Sequence, residues 1–146
     1  MTSKRELAFE ALFSLLQTIA AEQTPIVTVT RILQTLEKTN ETDLPRWTLT
    51  VGPQSVEQRS GLPPKRTLDA RLHIYVSNPQ NATVPAGSQL NNLIETIESA
   101  LEDPDYSRNT LSGAVYWSRV EGQIEIFEAP RGQRAAAIVP IRMLLP

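Results

Sequence analysis

A chain of 146 residues with no cysteine and a single histidine excludes disulfides, thiolate nucleophiles, Cys-containing zinc sites and His-rich metal centres. With 40% hydrophobic and 21% charged residues, the chain is expected to form one soluble domain spanning 1–146. A domain of this size buries about 68–70% of its unfolded surface without needing staples. The formal net charge of -2 argues against a general nucleic-acid binder held by phosphate neutralisation, though local basic patches remain open.

Lys4 and Arg5 followed by Leu7 to Ala21 have the outline of a secretory signal, but Glu10 and Gln17 interrupt the apolar run. Helical periodicity explains the segment better, and no stretch approaches the ~18 uninterrupted apolar residues of a membrane span. Ser3 and Glu6 have capping-box spacing, and Ala8, Phe9, Leu12, Phe13, Leu15, Leu16, Ile19 and Ala20 recur at helical intervals. This predicts a first helix ending near Ala21, its wide apolar arc assigned to the core in preference to an oligomer contact.

Pro25 closes that helix. Ile26, Val27 and Val29 with Thr28 and Thr30 then have the β-branched character of a short strand or extended arm. Arg31 to Glu37 could form a helical turn, and Lys38 to Asp43 reads as loop. After Pro45, Trp47, Leu49 and Val51 alternate with Arg46, Thr48 and Thr50, which predicts a strand. The next stretch, Gly52 to Lys65, holds two glycines and three prolines and is expected to be a loop. A partner-binding loop and a solvated connection are both open there, and Arg59, Lys65, Arg66 and Arg71 make the region locally basic.

From Arg66 to Val76 the alternation is unbroken: Leu68, Ala70, Leu72, Ile74 and Val76 form one row, Thr67, Asp69, Arg71, His73 and Tyr75 the other. One apolar and one polar row is the signature of a sheet covered on one side. At ~3.3 Å per residue the strand would run roughly 36 Å, a candidate for the central or longest member. A turn-rich stretch including Asn78-Pro79 and Pro85 follows, with Ser88 as a plausible N-cap. Leu90, Leu93, Ile94, Ile97, Ala100 and Leu101 then mark a second helix, ended by Pro104, as the cover for the apolar row.

Gly113 to Val120 and Gln123 to Phe127 flank Glu121-Gly122, a two-residue hairpin signal, with the buried face undecided. Pro130 to Gln133 reads as a turn. The last strand, Arg134 to Leu145, places Ala135, Ala137, Val139, Ile141, Met143 and Leu145 on one face, and Pro140 argues for an edge position. The expected class is α+β: a single, mostly antiparallel twisted sheet with two main helices packed on one face.

Catalytic signatures are absent: there is no glycine-rich phosphate loop, nucleophile elbow or HExxH. His73 has Ser55, Ser60 and Ser77 as possible companions but no orienting partner, so a solvated or interface histidine is the better reading. Glu102, Asp103 and Asp105 lack an EF-hand pattern. Trp47, Tyr75, Tyr106, Tyr116 and Trp117 are not interleaved with a basic stripe and are assigned to packing. The Asn40 and Asn81 glycosylation sequons receive no weight, since the pattern is common by chance. No catalytic, cofactor-binding or metal residue is assigned, and the chain is not expected to be an enzyme.

Several stretches together resemble the tail terminator family of tailed bacteriophages and prophages. They are Arg5 with its Leu/Phe-rich helix, GLPPKRTLDARLHIYV from Gly61 to Val76 and LNNLIETIESAL from Leu90 to Leu101. NTLSGAV from Asn109 to Val115, VEGQIE from Val120 to Glu125 and AAAIVPIRMLLP from Ala135 to Pro146 complete the set. Ser112 stands where the family more often has a glycine pair, and Glu128 to Gln133 is an altered turn. The resemblance implies a homohexameric ring that caps the tail tube, ends its polymerisation and offers a surface to the head-side connector. It further implies DNA only passing through the channel, no cofactor, no membrane contact, and a place in the virion tail after assembly in the bacterial cytoplasm.

On that reading, loop docking, edge pairing by the last strand and the polar row of the long strand, facing a neighbouring subunit or the channel, put the interface at Arg59, Leu62, Pro63, Pro64, Lys65, Arg71, His73, Pro140 and Arg142. A neck or minor tail completion protein of the same fold is the neighbouring alternative. A nucleic-acid module built on Arg59, Lys65, Arg66 and Arg71 and a small-molecule enzyme are more distant ones.

Overall fold

The computed structural model describes residues 2–23, 27–77, 86–102, 109–128 and 134–146. In chain order its elements are α1 (Lys4–Ala21), β1 (Thr28–Thr30), single 3-10 turns at Leu36–Lys38 and Glu41–Asp43, β2 (Arg46–Arg59), β3 (Leu62–Ser77), α2 (Ala86–Leu101), β4 (Trp117–Val120), β5 (Glu125–Glu128) and β6 (Arg134–Leu144). The sheet order is β1-β2-β3-β6, with β4 and β5 lying one after the other along the far side of β6. Only β1 and β2 run parallel; every other pair is antiparallel. The α+β class and the mostly antiparallel sheet are as the sequence led one to expect.

The alternating strand is β3, the longest of the sheet and flanked by β2 and β6. Leu68, Ala70, Leu72, Ile74 and Val76 are all buried, in one cluster with Trp47 and Leu49 of β2 and Val139, Ile141 and Met143 of β6. The same cluster takes Phe9, Leu12, Leu16 and Ile19 from α1 and Leu90, Leu93, Ile97 and Leu101 from α2, so both helices cover one face. Each such aliphatic side chain gains about 1.5–3 kcal/mol on burial, which is what joins the two layers.

Helix α1 starts as its spacing predicts: Ser3 Oγ accepts the Glu6 N–H at 3.1 Å, satisfying one of the donors that a helix start leaves unpaired. Its buried face is narrower than the apolar arc, because Phe13 and Leu15 are only partly buried. Helix α2 begins at Ala86, so Ser88 lies inside its first turn and is not the N-cap. Asn109 closes the other end: its Nδ2 donates to Leu101 O at 3.1 Å and to Ser118 O at 2.9 Å. Ser118 Oγ donates back to Asn109 O at 2.7 Å, clamping the end of α2 to β4.

Three expectations about the strands are corrected as well. Gly52 to Lys65 is not a loop: apart from the turn at Ser60 and Gly61 it belongs to β2 and β3, which pair from Arg46↔Tyr75 out to Arg59↔Leu62. Irregularities in the ladder absorb the prolines that made it look unstructured; the register slips between Val51 and Gln54, across Pro53, and again opposite Pro63 and Pro64.

The last strand is not an edge either, because β6 pairs with β3 on one side and with β4 and β5 on the other. Pro140 is tolerated because it sits opposite the gap between β4 and β5. Its carbonyl accepts the Glu121 N–H on that side, and the side where its missing N–H would point carries no continuous strand.

Glu121-Gly122, finally, turns no hairpin. β4 and β5 follow the same antiparallel direction along β6, with Val120 opposite Ile141 and Glu125 opposite Ile138, and the extra residues between them bulge out. Gly122, at φ 122, provides the bend, and a Cβ there would lie 3.1 Å from Pro140 Cγ. Residues 113–116 are turn and not strand. Pro25, Ile26, Asn78-Pro79, Asn81, Pro85, Asp103, Pro104, Asp105, Tyr106 and the Pro130 to Gln133 turn lie outside the described residues.

Candidate assembly surfaces

Beyond the helix-covered body, β2 and β3 continue as a two-stranded arm. Its base is a bulge at Gly52, where a Cβ would lie 2.9 Å from the carbonyl oxygen of Asp69; glycine allows that approach. The last ties to the body are Arg5 Nε to Gln54 Oε1 at 2.8 Å and the Leu145 N–H to Arg66 O at 3.0 Å. Past them the strands pair with each other, and residues 53–63 are all exposed. From Gln54 to the turn the arm reaches about 20 Å at ~3.3 Å per residue. Gly61, at φ 73, makes the tip, and the Arg59 guanidinium donates to Pro63 O at 2.7 and 3.1 Å across it.

Five of the expected interface residues, Arg59, Leu62, Pro63, Pro64 and Lys65, therefore gather at the end of this arm. Val56 and Leu62 hold apolar surface in solvent, at 49% and 60% exposure. An isolated two-stranded ribbon is marginal in water, so this arm is a shape that another surface would stabilise.

Arg71, His73, Pro140 and Arg142 lie elsewhere, on the polar face of the sheet. Arg71, His73 and Pro140 line a depression of about 460 Å³ together with Leu33, Thr50 and Glu125. His73 Nε2 is 3.2 Å from Thr50 Oγ1. Partial burial, and then the neighbouring Arg71 charge, push its pKa below the usual histidine value, which favours neutral imidazole at pH 7. Arg142 donates to Asp69 Oδ1 at 2.9 Å and lies 3.5 Å from Glu121; the Asp69 hydrogen bond and charge raise its pKa further.

The other end of this face is roofed by the chain itself. Tyr75 Oη donates to Gln34 O at 2.6 Å, Arg46 Nη2 to Ile32 O at 3.3 Å and Arg134 Nη1 to Leu36 O at 2.7 Å. The Tyr75 end of the polar row is thus internal, and only the part near Arg71 is open. Arg71 is separated along β3 from the basic arm residues by Asp69, whose carboxylate already holds Arg142. The basic residues form no continuous stripe.

Sequence reasoning did not single out β5. All four of its residues, Glu125 to Glu128, are exposed, and Ile126 and Phe127 are 50% and 56% accessible. Among the described residues no strand lies on its outer side. The signal was present in the sequence, as two apolar residues between glutamates, but reading them as half of a hairpin supplied a partner that β5 does not have. Among the described residues there is no group of three His, Asp or Glu placed to hold a metal ion, and no helix long and apolar enough to cross a membrane.

No protein-family model matches the sequence, and no curated protein matches it. Among solved structures, one chain that carries no functional name superimposes with a TM-score of 0.58 at 13% identity, over 97% of this chain and 95% of its own. That likeness is one of fold. Another solved chain, from the virion of a native gene transfer agent particle, gives a TM-score of 0.43 at 11% identity, over 93% of this chain and 92% of its own.

Proposed function

We propose that this chain is a structural assembly protein of the phage tail terminator kind. In this role it forms a homohexameric ring on the end of a tail tube, stops further addition of tube subunits and presents its other side to a head-side connector. DNA passes through the channel without being held, and no catalytic step, cofactor or metal is assigned to the chain. The reading rests on the ordered run of resembling stretches from Arg5 to Pro146, and the single structural observation that favours it is the β2–β3 arm. About 20 Å of paired backbone held away from its own core serves contact with another molecule better than it serves stability.

Replacing residues 56–65 by a two-residue turn tests the role. The body should keep its thermal midpoint, since the removed residues bury almost nothing. Rings visible by electron microscopy and the capping of purified tail tubes should be lost. Retained capping by the shortened protein would overturn the assignment. Tight binding of duplex DNA that weakens steeply with salt would favour the nucleic-acid alternative instead.

A further inference from the structure

We infer that the arm of one copy adds as an extra strand to the outer edge of β5 in the next copy, through the Gln54–Arg59 edge of β2; this rests on the ring reading above. The donor and acceptor surfaces are both formed of strand. Among the described residues, the outer side of β2 has no strand beside it beyond Thr48, where β1 stops, and the outer side of β5 has none along its length. Such rows of unsatisfied N–H and C=O groups are templates for strand addition.

The two edges of the arm are not equivalent. The β3 side carries Pro63 and Pro64, which lack N–H groups and block pairing near the tip. On the β2 side Gln54, Ser55, Val56, Glu57, Gln58 and Arg59 contain no proline, so that edge is the competent one.

Charge selects the acceptor. Residues 56–66 carry Arg59, Lys65 and Arg66 against Glu57, and β5 carries Glu125 and Glu128 with no basic residue. A net basic arm therefore meets a wholly acidic edge. The other edges with no neighbouring strand among the described residues offer the arm no acid: β1 contains none, with the nearby Arg31 paired to Glu6, and β4 carries Arg119. Val56 and Leu62 of the arm and Ile126 and Phe127 of β5 supply apolar area to cover.

Position then fixes the type of contact. The arm grows from β2 and β3, while β5 lies beyond β6 at the opposite margin of the sheet. Two different surfaces on one chain allow a head-to-tail contact, the kind that closes into rings, whereas a reciprocal two-fold exchange would stop at two chains.

The absence of native cysteine makes the test direct. Val56→Cys and Phe127→Cys, both exposed positions, are prepared singly and together and treated with a short bismaleimide. The mixture of single variants should give a two-chain product, and the double variant a ladder of head-to-tail multiples. In addition, Glu125→Lys with Glu128→Lys should raise the concentration for half-assembly by at least about tenfold, and adding Arg59→Glu with Arg66→Glu should restore it.

Rings that form while the mixed single variants give no two-chain product would overturn the arm contact and leave the ring reading intact. A linked dimer from Val56→Cys alone would also overturn it, since that marks a two-fold contact. Wild-type protein that stays monomeric by light scattering at high concentration, with and without tail tubes, would overturn both.

Discussion

Leu72 and Arg71 are neighbours on β3 that face opposite ways, and truncating each should separate the covered from the uncovered side of the sheet. Leu72 is fully buried, in register with Leu49 on one side and Val139 on the other, all three within the helix-covered core. Leu72→Ala removes buried carbons worth about 0.8 kcal/mol each in transfer and leaves a cavity that a β-sheet flanked on both sides cannot close. The expected cost is about 3 kcal/mol, within the ~2–5 kcal/mol span of such changes, or about 6–12 °C in thermal midpoint for a domain of this size. Arg71 is exposed, and Arg71→Ala should change stability by less than ~0.5 kcal/mol. Urea titrations of both variants at a dilution where the chain is monomeric make the comparison, since the open polar face is also a candidate contact between copies. Equal losses at the two positions would refute a sheet covered on one side only.

Other consequences concern local features. Asn109→Ala removes the side-chain bonds to Leu101 O and Ser118 O and should cost about 1–2 kcal/mol by urea midpoint, with the loss of exchange protection centred on the last turn of α2. Ser112 has φ 58, between Leu111 at φ 50 and Gly113 at φ 92, so Ser112→Gly relieves a left-handed conformation and should stabilise by about 0.5–1 kcal/mol. An unchanged or lowered thermal midpoint would show that the turn is unstrained.

Burial lowers the folded-state pKa of His73 below its ordinary value, so the unfolded chain takes up the proton first. The corresponding stability is present above the unfolded pKa of about 6.5 and is lost as pH falls from there through the folded pKa. Comparing urea midpoints at neutral and mildly acidic pH should therefore show a smaller acid loss in His73→Asn than in the wild type.

Local pattern was enough wherever neighbours in sequence decide the outcome. The rows of β3, the apolar stripe of α2, the Ser3 cap and the covered face of β6 follow from period and residue type, because side-chain direction within one element is fixed by its backbone geometry. Pairing is a different matter, since the partner of a strand is chosen across the chain. Pro140 looked like an edge residue because a proline lacks its N–H, but whether that missing donor costs anything depends on what lies opposite, and opposite lies the gap between β4 and β5. Glu121-Gly122 had the composition of a tight turn, yet the long β6 offered Glu125 to Glu128 a better ladder than β4 could.

The same reason hid half of the candidate interface. Arg59 to Lys65 were legible from their composition as an exposed basic segment, although as a loop and not as a paired arm. Ile126 and Phe127 between glutamates only hinted at the open edge of β5, because exposure of an edge is a statement about the strands that are not beside it. The sequence by itself determined a two-layer α+β domain, which face of its long strand is buried and where its basic segment lies. Only the tertiary structure decided which strand is central, which edges stay open and how far the arm projects, since each depends on hydrogen-bond partners distant in the chain.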